Sequence, residues 1–286
     1  QRLLVSLHLT GSADAVGRHT WSTDGYSYTT APGTGDLTAA VDPAAFTAEG
    51  STSGYWTSLV TGLQVVTDGL PTVAVLGEGL VDTATSTATP TWGFANPRVA
   101  DLLAGQGSYG VVKAGNRRNR IGYDGYFSGA DAALDREVLS QPGIGTVVLT
   151  GGLQDLLDGT SATELQTQTL EPIIDRLQAW GINVVLGDLT PCRGYAACTP
   201  EIDAARRVVN GWISDRESFL PPSITPVGFA QAVSVDDPAG TATPPDQVLG
   251  TEYDTGDHVN LTKAGFAALA GTIPIPALAA NVPPSY

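Results

Sequence analysis

The sequence of 286 residues contains no methionine, two cysteines, three histidines and only 14 lysine plus arginine residues. Against 29 acidic residues this leaves a formal net charge of -15, whose field repels nucleic-acid phosphates and anionic lipid headgroups. No apolar run approaches the roughly 20 residues that a membrane-spanning helix needs, and no signal-peptide pattern opens the chain. We expect no nucleic-acid partner, no membrane span and, because methionine is missing even at the start, a processed or trimmed N-terminus.

The two cysteines, Cys192 and Cys198, flank a short segment that contains a glycine. A loop of this kind can close into a disulfide. Two thiols are too few for a structural zinc site, and none of the three histidines (His8, His19, His258) is near the pair in sequence. We predict a disulfide formed in an oxidising compartment, and hence a secreted protein. No metal or cofactor is implied.

Two regions differ in their apolar pattern. Residues 1–70 are rich in Thr, Ser and Gly, with alternating runs at 3–9 and 56–60 that are typical of strands and turns. From residue 71 onward, short continuous apolar runs alternate with amphipathic stretches, as in a parallel sheet covered by helices. The predicted strands are Val73–Leu76, Gly110–Lys113, Thr146–Thr150, Ile182–Gly187 and Thr225–Phe229. Five such strands predict a flavodoxin-like α/β sheet.

Local signals predict where helices begin and where the chain is irregular. Ser161 opens a capping box, and Pro172 is expected to kink or split the helix that follows. Thr199 and Pro200 supply an N-cap and a first-turn proline for the next helix. The segment 234–250 is rich in Pro, Asp and Gly, and we expect it to be a plain loop.

In open α/β sheets, chemistry gathers just beyond the carboxyl ends of the strands, and this chain carries distinctive blocks there. The first block, VAVLGEGLVD at residues 73–82, resembles the strand and Gly-Asp-Ser-Leu turn of the SGNH (GDSL-type) hydrolases. In that alignment Gly79 stands where the family has its nucleophilic serine, and Glu78 replaces the aspartate. The resemblance implies a three-layer α/β sandwich of the kind found in these esterases and lipases.

Two further blocks resemble the segments that build the family's oxyanion hole. The run VVKAGNRRNR at residues 111–120 is similar to Asn-x-Gly-Ile-Ser-Gly-Asn-Arg, with Arg118 in place of the glycine whose N–H binds the oxyanion. The run GLQDL at residues 152–156 resembles Gly-x-Asn-Asp, with Gln154 in place of the asparagine that completes the hole. Both donors expected from the family are therefore replaced.

The fourth block, YDTGDHVNLTKAGF at residues 253–266, is similar to the catalytic histidine segment of secreted actinobacterial members. Asp257 matches the triad aspartate, and Asn260 takes the position of the catalytic histidine. His258 is expected to be structural, because the family also has a histidine there beside the catalytic one. The resemblance covers nearly everything after residue 70, and residues 1–70 resemble the last part of the β-rich accessory domain that precedes the hydrolase domain in those proteins.

The substitutions remove the chemistry of the family. Glycine at position 79 supplies no nucleophile, and asparagine at position 260 cannot take up a proton near neutral pH. Loss of the nucleophile or the base of a serine hydrolase alone costs on the order of a millionfold in turnover. We expect ester hydrolysis by the family mechanism to be absent.

Polar residues replace the lost site, and they suggest a repurposed cleft. We predict acid/base or electrostatic roles for three residues: Asp257, Glu78 and Arg118. We predict contacts with a small-molecule ligand, of anionic character, for five more: Gly79, Arg117, Gln154, Asn260 and His258. The cations around position 117 either bind a carboxylate or enolate-like group, or only fill the old pocket by pairing with carboxylates such as Glu78, Asp82, Asp124 and Asp257.

Three hypotheses about function remain open at the level of sequence. The first, which the polar replacements favour, is non-hydrolytic acid/base chemistry, such as cyclisation, elimination or isomerisation of a secreted small molecule. The second is a non-catalytic protein that keeps the cleft to bind a ligand or glycan, since a fold does not dictate a function. The third is a residual esterase or lipase that uses other residues.

Overall fold

The structure is a computed structural model that describes residues 5–11, 18–22, 27–51, 54–58, 71–78, 81, 109–115, 120–122, 129–240 and 246–279. The chain divides into two compact units, Gln1–Val65 and Val66–Tyr286. Among the described residues, no helix combines the length and apolar character needed to cross a membrane.

The first unit contains a four-stranded antiparallel sheet with the strand order β1-β4-β3-β2. Its strands are β1 (Arg18–Ser22), β2 (Ser27–Thr29), β3 (Thr47–Ser51) and β4 (Gly54–Ser58). The alternating run predicted at 3–9 is not a strand over its described part, because residues 5–10 join no sheet. The origin of this unit as part of an accessory domain remains a prediction.

The second unit is built on a five-stranded parallel sheet with the order β6-β5-β7-β8-β9. Its strands are β5 (Thr72–Gly77), β6 (Gly110–Gly115), β7 (Ile144–Thr150), β8 (Asn183–Gly187) and β9 (Ile224–Val227). The predicted α/β fold is confirmed. The last strand ends before the predicted residue because Phe229 already belongs to a helix.

Helices flank this sheet. They are α1 (Ala130–Leu134), α2 (Leu153–Leu157), α3 (Ala162–Glu164), α4 (Glu171–Ala179), α5 (Pro200–Ser214), α6 (Phe229–Val233), α7 (Lys263–Gly271) and α8 (Ile275–Ala279). Alternate strand residues face opposite layers, as the two-residue period of a strand requires. Leu76 and Leu149 belong to one buried cluster, whereas Val75 and Val148 belong to the other.

The predicted helix starts are present. The hydroxyl of Ser161 accepts a hydrogen bond from the backbone N–H of Glu164, whose carboxylate accepts one in return, so the capping box is complete. Pro172 does not end the helix. Instead the backbone makes π-helical turns over Leu165–Leu170 before α4 begins, which accommodates a residue that lacks an N–H and crowds the preceding turn.

The expectation of a plain loop at 234–250 is wrong at both ends of the segment. Strands β10 (Ser234–Asp236) and β11 (Gln247–Leu249) pair antiparallel. The guanidinium of Arg193 lies 2.8 Å from the Asp246 carboxylate and 3.4 Å from that of Asp237. Both carboxylates border the hairpin, so an arginine from a segment distant in sequence forms ion pairs with it.

The predicted disulfide is confirmed. Cys192 and Cys198 are bonded, with 5.8 Å between their Cα atoms. The loop that they close follows β8 and contains Arg193, so the covalent link and the ion pairs with the β10–β11 hairpin fix the same segment.

Candidate functional site

The carboxyl end of β5 lies very close to that of β7. A Cβ atom on Gly77 would overlap the carbonyl oxygen of Thr150, so only glycine fits at this strand end. Glu78 follows directly and turns its side chain inward, where it is 5% exposed. Its Oε1 accepts a hydrogen bond from the Leu153 N–H (3.1 Å), and its Oε2 accepts one from the Gln154 N–H (3.2 Å). Glu78 therefore caps the first turn of α2.

The protonation of Glu78 is set by two opposing effects. Burial, together with the nearby Asp155 carboxylate, raises the pKa of Glu78 to about 8, although the backbone N–H groups at the start of α2 favour the ionised form. A buried carboxyl that exchanges its proton near neutral pH is a feature of functional sites, and also of buried structural carboxyls.

Asp155 is fully buried and anchors the chain after β6. Its Oδ2 accepts a hydrogen bond from the Ile121 N–H (2.8 Å), and its Oδ1 accepts one from the Gly122 N–H (3.0 Å). Burial raises the pKa of Asp155 despite these hydrogen bonds and the nearby Arg120. The Asp155 carboxylate thus links α2, which follows β7, to the chain that follows β6.

Gln154 points away from Glu78 and toward the surface. Its side-chain amide donates to Oδ1 of Asp158 at 3.0 Å, and the guanidinium of Arg120 lies 3.4 Å from the other oxygen of the same carboxylate. The side-chain amide of Gln154, which the sequence predicts at the oxyanion position, is therefore bound to Asp158, the residue that directly follows α2.

Asp257 and Asn260 contact each other in the loop that precedes α7. The side-chain amide of Asn260 donates to Oδ2 of Asp257, while Oδ1 accepts hydrogen bonds from the backbone N–H groups of Asn260 (2.8 Å) and Val259 (3.1 Å) and from the Thr255 hydroxyl (3.1 Å). Burial acts to raise the pKa of Asp257, but these hydrogen bonds outweigh it and hold the pKa below its ordinary value. Asp257 is consequently a weak proton acceptor.

His258 lies in the same loop and contacts a different carboxylate. Its Nδ1 is 2.8 Å from Oδ2 of Asp254, and its side chain is 51% exposed. The sequence comparison did not single out Asp254. The spacing of four residues between Asp254 and His258 was the available signal. Such a spacing predicts a side-chain contact in a helix, but this segment is a loop.

Asp188 is another acidic residue that the sequence reasoning missed. It follows β8, and its Oδ1 accepts a hydrogen bond from the Ala230 N–H at 2.7 Å. Burial raises the pKa of Asp188 to about 6, against the effect of the hydrogen bonds from the first turn of α6. Its place immediately after a predicted strand was the signal that could have identified it.

The structure thus brings the predicted site residues together in two groups. Glu78 and Gln154 meet at the start of α2, and Asp257, His258 and Asn260 share the loop before α7. The remaining predicted residues lie outside the described part of the chain: Gly79, Arg117, Arg118, Asp82 and Asp124. The described residues contain no cluster of three or more side chains suited to hold a metal ion.

Similar proteins are found among solved structures. One is the lipase/acylhydrolase from Enterococcus faecalis, which is 16% identical over 76% of this chain and 100% of its own, with a TM-score of 0.54. Another is a carbohydrate acetylesterase family member from Sinorhizobium meliloti, which is 13% identical over 71% of this chain and 95% of its own, with a TM-score of 0.52. No protein-family model matches the sequence, and no curated protein does.

The α/β unit has the SGNH-hydrolase fold. At these identities the likeness shows the fold alone, so activity does not follow from it. That Asn260 stands where the family has its catalytic histidine remains a prediction of the sequence, and the structure shows that the side-chain amide of Asn260 donates a hydrogen bond to the carboxylate of Asp257.

Proposed function

We propose that this chain is an SGNH-fold protein that does not hydrolyse esters by the family's serine and histidine mechanism, and that it binds a small molecule at the carboxyl edge of its sheet. The contact between Asn260 and Asp257 carries the proposal. An amide cannot accept the proton of a nucleophile, and its carboxylate partner is already saturated with hydrogen bonds.

The contacts of Glu78 favour a scaffold role for this residue over a catalytic one. Both carboxylate oxygens accept hydrogen bonds from the backbone of α2, and the side chain is buried. A general base must reach the proton that it removes, and a carboxyl engaged in this way supports the scaffold. The ligand class that we propose is an acyl ester or acylated sugar, because the two structural neighbours are named as an acylhydrolase and a carbohydrate acetylesterase family member.

A second candidate function is acid/base chemistry on a secreted small molecule. In this chemistry Glu78 or Asp257 would exchange the proton, and Arg118 would be the electrostatic stabiliser. One observation favours it, namely the pKa of about 8 for Glu78, which lets that carboxyl change protonation near neutral pH. The lowered pKa of Asp257 opposes a role for that residue as the base.

The proposal predicts a specific kinetic pattern with p-nitrophenyl esters of increasing acyl length. We expect wild-type protein to show no initial burst of p-nitrophenolate, because no acyl-enzyme forms. The double variant Gly79→Ser/Asn260→His restores the family's nucleophile and base beside Asp257, and we expect it to gain a burst that the wild type lacks. Stopped-flow absorbance measures both proteins.

One result would overturn the proposal. A wild-type burst that approaches one equivalent of protein would show a working nucleophile. The double variant still lacks the family's oxyanion donors at positions 118 and 154, so the burst that it gains is expected to be slow.

A further inference from the structure

The disulfide loop, residues 192–198, packs against the ring of His258. A Cβ atom added to Gly194 would lie 2.7 Å from Cγ of His258, so the glycine backbone is in close contact with the imidazole. Gly194 also has a φ of 96°, which residues with side chains rarely adopt. Both the space and the backbone at position 194 therefore require glycine, and the disulfide loop supports the ring of His258 from one side.

The 254–260 loop, which precedes α7, contains a backbone conformation that needs such support. The φ of His258 is 67°, the one positive value at a non-glycine residue in the described part of the chain. A residue with a side chain keeps such a φ only where its surroundings maintain it. The backbone N–H groups of Gly256 (2.8 Å) and His258 (2.9 Å) donate to Oδ1 of Asp254. Side-chain carboxylates, rather than a helix or a strand, thus hold the amides of this loop.

The disulfide that closes the neighbouring loop has one accessible end. Cys192 is fully buried, whereas Cys198 is partly exposed and the residues at 194–197 are exposed. Turn hydrogen bonds run from the Tyr195 N–H to the Cys192 carbonyl oxygen (3.0 Å) and from the Cys198 N–H to the Tyr195 carbonyl oxygen (2.9 Å). Exposed segments that rely on turn hydrogen bonds open readily, so the covalent link is what keeps the disulfide loop in place.

We propose that the Cys192–Cys198 disulfide is a redox switch for the 254–260 loop. The intact disulfide holds Gly194 against His258, and the contact maintains the positive φ on which the 254–260 loop depends. Reduction frees the disulfide loop, removes the support of the ring and lets the 254–260 loop, with Asp257 and Asn260, change conformation. This regulation goes beyond the proposed function, because it controls the order of a loop whichever ligand the protein binds.

A dithiol supplies the two electrons that the switch requires. One thiolate of the dithiol attacks Sγ of Cys198, the bond between the two cysteine sulfurs breaks, and the sulfur of Cys192 leaves and takes up a proton. The second thiolate of the dithiol then attacks its own sulfur in the mixed disulfide, and Cys198 leaves as a thiol. The protein gains two electrons and two protons, and the dithiol becomes a disulfide.

The switch is expected to act on the 254–260 loop and not on the β10–β11 hairpin. Arg193 of the disulfide loop is paired with Asp237 and Asp246, which border the hairpin. Asp246 is also paired with Arg207 of α5, at 2.6 Å, and this second cation does not belong to the disulfide loop. The hairpin therefore keeps an ion pair when the disulfide loop moves.

Hydrogen exchange of the full chain, measured by mass spectrometry with and without dithiothreitol, tests the switch. We expect the amides at 254–260 to exchange about tenfold faster in the reduced protein, as loss of a contact that stabilises the loop would cause. The hairpin and α4 are expected to keep the exchange rates of the oxidised protein. The variant Cys192→Ser/Cys198→Ser should reproduce the reduced pattern and should not respond to dithiothreitol, which controls for direct effects of the reagent.

Gly194→Ala tests the contact with the disulfide intact. The added Cβ overlaps the ring of His258, so we expect faster exchange at 254–260 without any reductant. The matched control is Gly159→Ala, because Gly159 has a similar φ of 98° but a Cβ there meets nothing within 4 Å. This control should leave exchange at 254–260 unchanged.

Two results would overturn the inference. Exchange at 254–260 that is the same in the oxidised and reduced proteins would show that the disulfide does not control this loop. Equal acceleration in α4 and the hairpin would show that the disulfide stabilises the whole unit rather than one loop. Neither result affects the ester kinetics that test the proposed function, so the two proposals fail separately.

Discussion

Wild-type protein is expected to lose stability as the pH rises from about 4.5 to about 8, and Glu78→Gln is expected to abolish most of this pH dependence. The carboxyl has a pKa of about 8 in the folded protein, against an ordinary value of 4.5 that we assign to the unfolded chain. Between these values the folded protein holds a proton that the unfolded chain has released. The stabilisation is therefore complete below pH 4.5 and is lost as the pH approaches 8.

The size of this effect is several kcal/mol in the free energy of unfolding, because each pKa unit corresponds to about 1.4 kcal/mol. The glutamine variant carries a neutral group at every pH, so its free energy of unfolding has no such dependence. Asp188, with a pKa of about 6, contributes a smaller loss of the same sign that the variant retains. Denaturant unfolding at several pH values measures the difference between the two proteins.

Glu164→Gln is the matched control for this experiment. Glu164 also lies in the first turn of a helix and accepts a backbone hydrogen bond, but it is exposed. Hydrogen bonds from Ser161 hold the pKa of Glu164 below its ordinary value, so the residue is ionised in both states above pH 4.5. The control should keep the wild-type slope. The same slope in Glu78→Gln would show that the buried carboxyl is not the titrating group.

Asp203→Asn is expected to destabilise the protein by about 3–5 kcal/mol, because it leaves a buried guanidinium without its counter-ion. Asp203 and Arg206 are 0% and 1% exposed, and Oδ1 of Asp203 lies 2.8 Å from both Nε and Nη2 of Arg206. Nη1 of Arg206 donates to the carbonyl oxygen of Leu189, just after β8. The pair therefore joins α5 to the strand end that leads into the disulfide loop.

Asp135→Asn provides the comparison between a buried and an exposed ion pair. Its partner is Arg176, and the two side chains are 72% and 38% exposed. Exposed pairs contribute about 0–1 kcal/mol, so this variant should unfold almost as the wild type does. Equal losses in the two variants, measured by denaturant unfolding, would contradict the burial argument.

The fold was predictable because its determinants are local. Continuous apolar runs identified each strand of the parallel sheet, and the caps at Ser161 and Thr199 marked helix starts that the structure confirms. The β10–β11 hairpin was not predictable in the same way, since Arg193 stabilises it from a segment distant in sequence.

The candidate site was predictable only as a set of positions. Motif alignment placed Asp257 and Asn260 side by side, and the structure shows their contact. The alignment could not show that the Glu78 carboxylate turns inward to cap α2, because that depends on how closely β5 and β7 approach each other. Asp254 pairs with His258 at a positive φ of His258, a local backbone conformation that the sequence alone does not specify.

The most direct measurement of the central claim is the intact mass of the protein after incubation with a fluorophosphonate, which bonds covalently to an activated serine. The account predicts no change in the mass of the wild type and addition of one phosphonyl group to Gly79→Ser/Asn260→His. A phosphonyl group on a serine of the wild-type α/β unit would contradict it, because the chain would then retain the covalent chemistry that we propose it has lost.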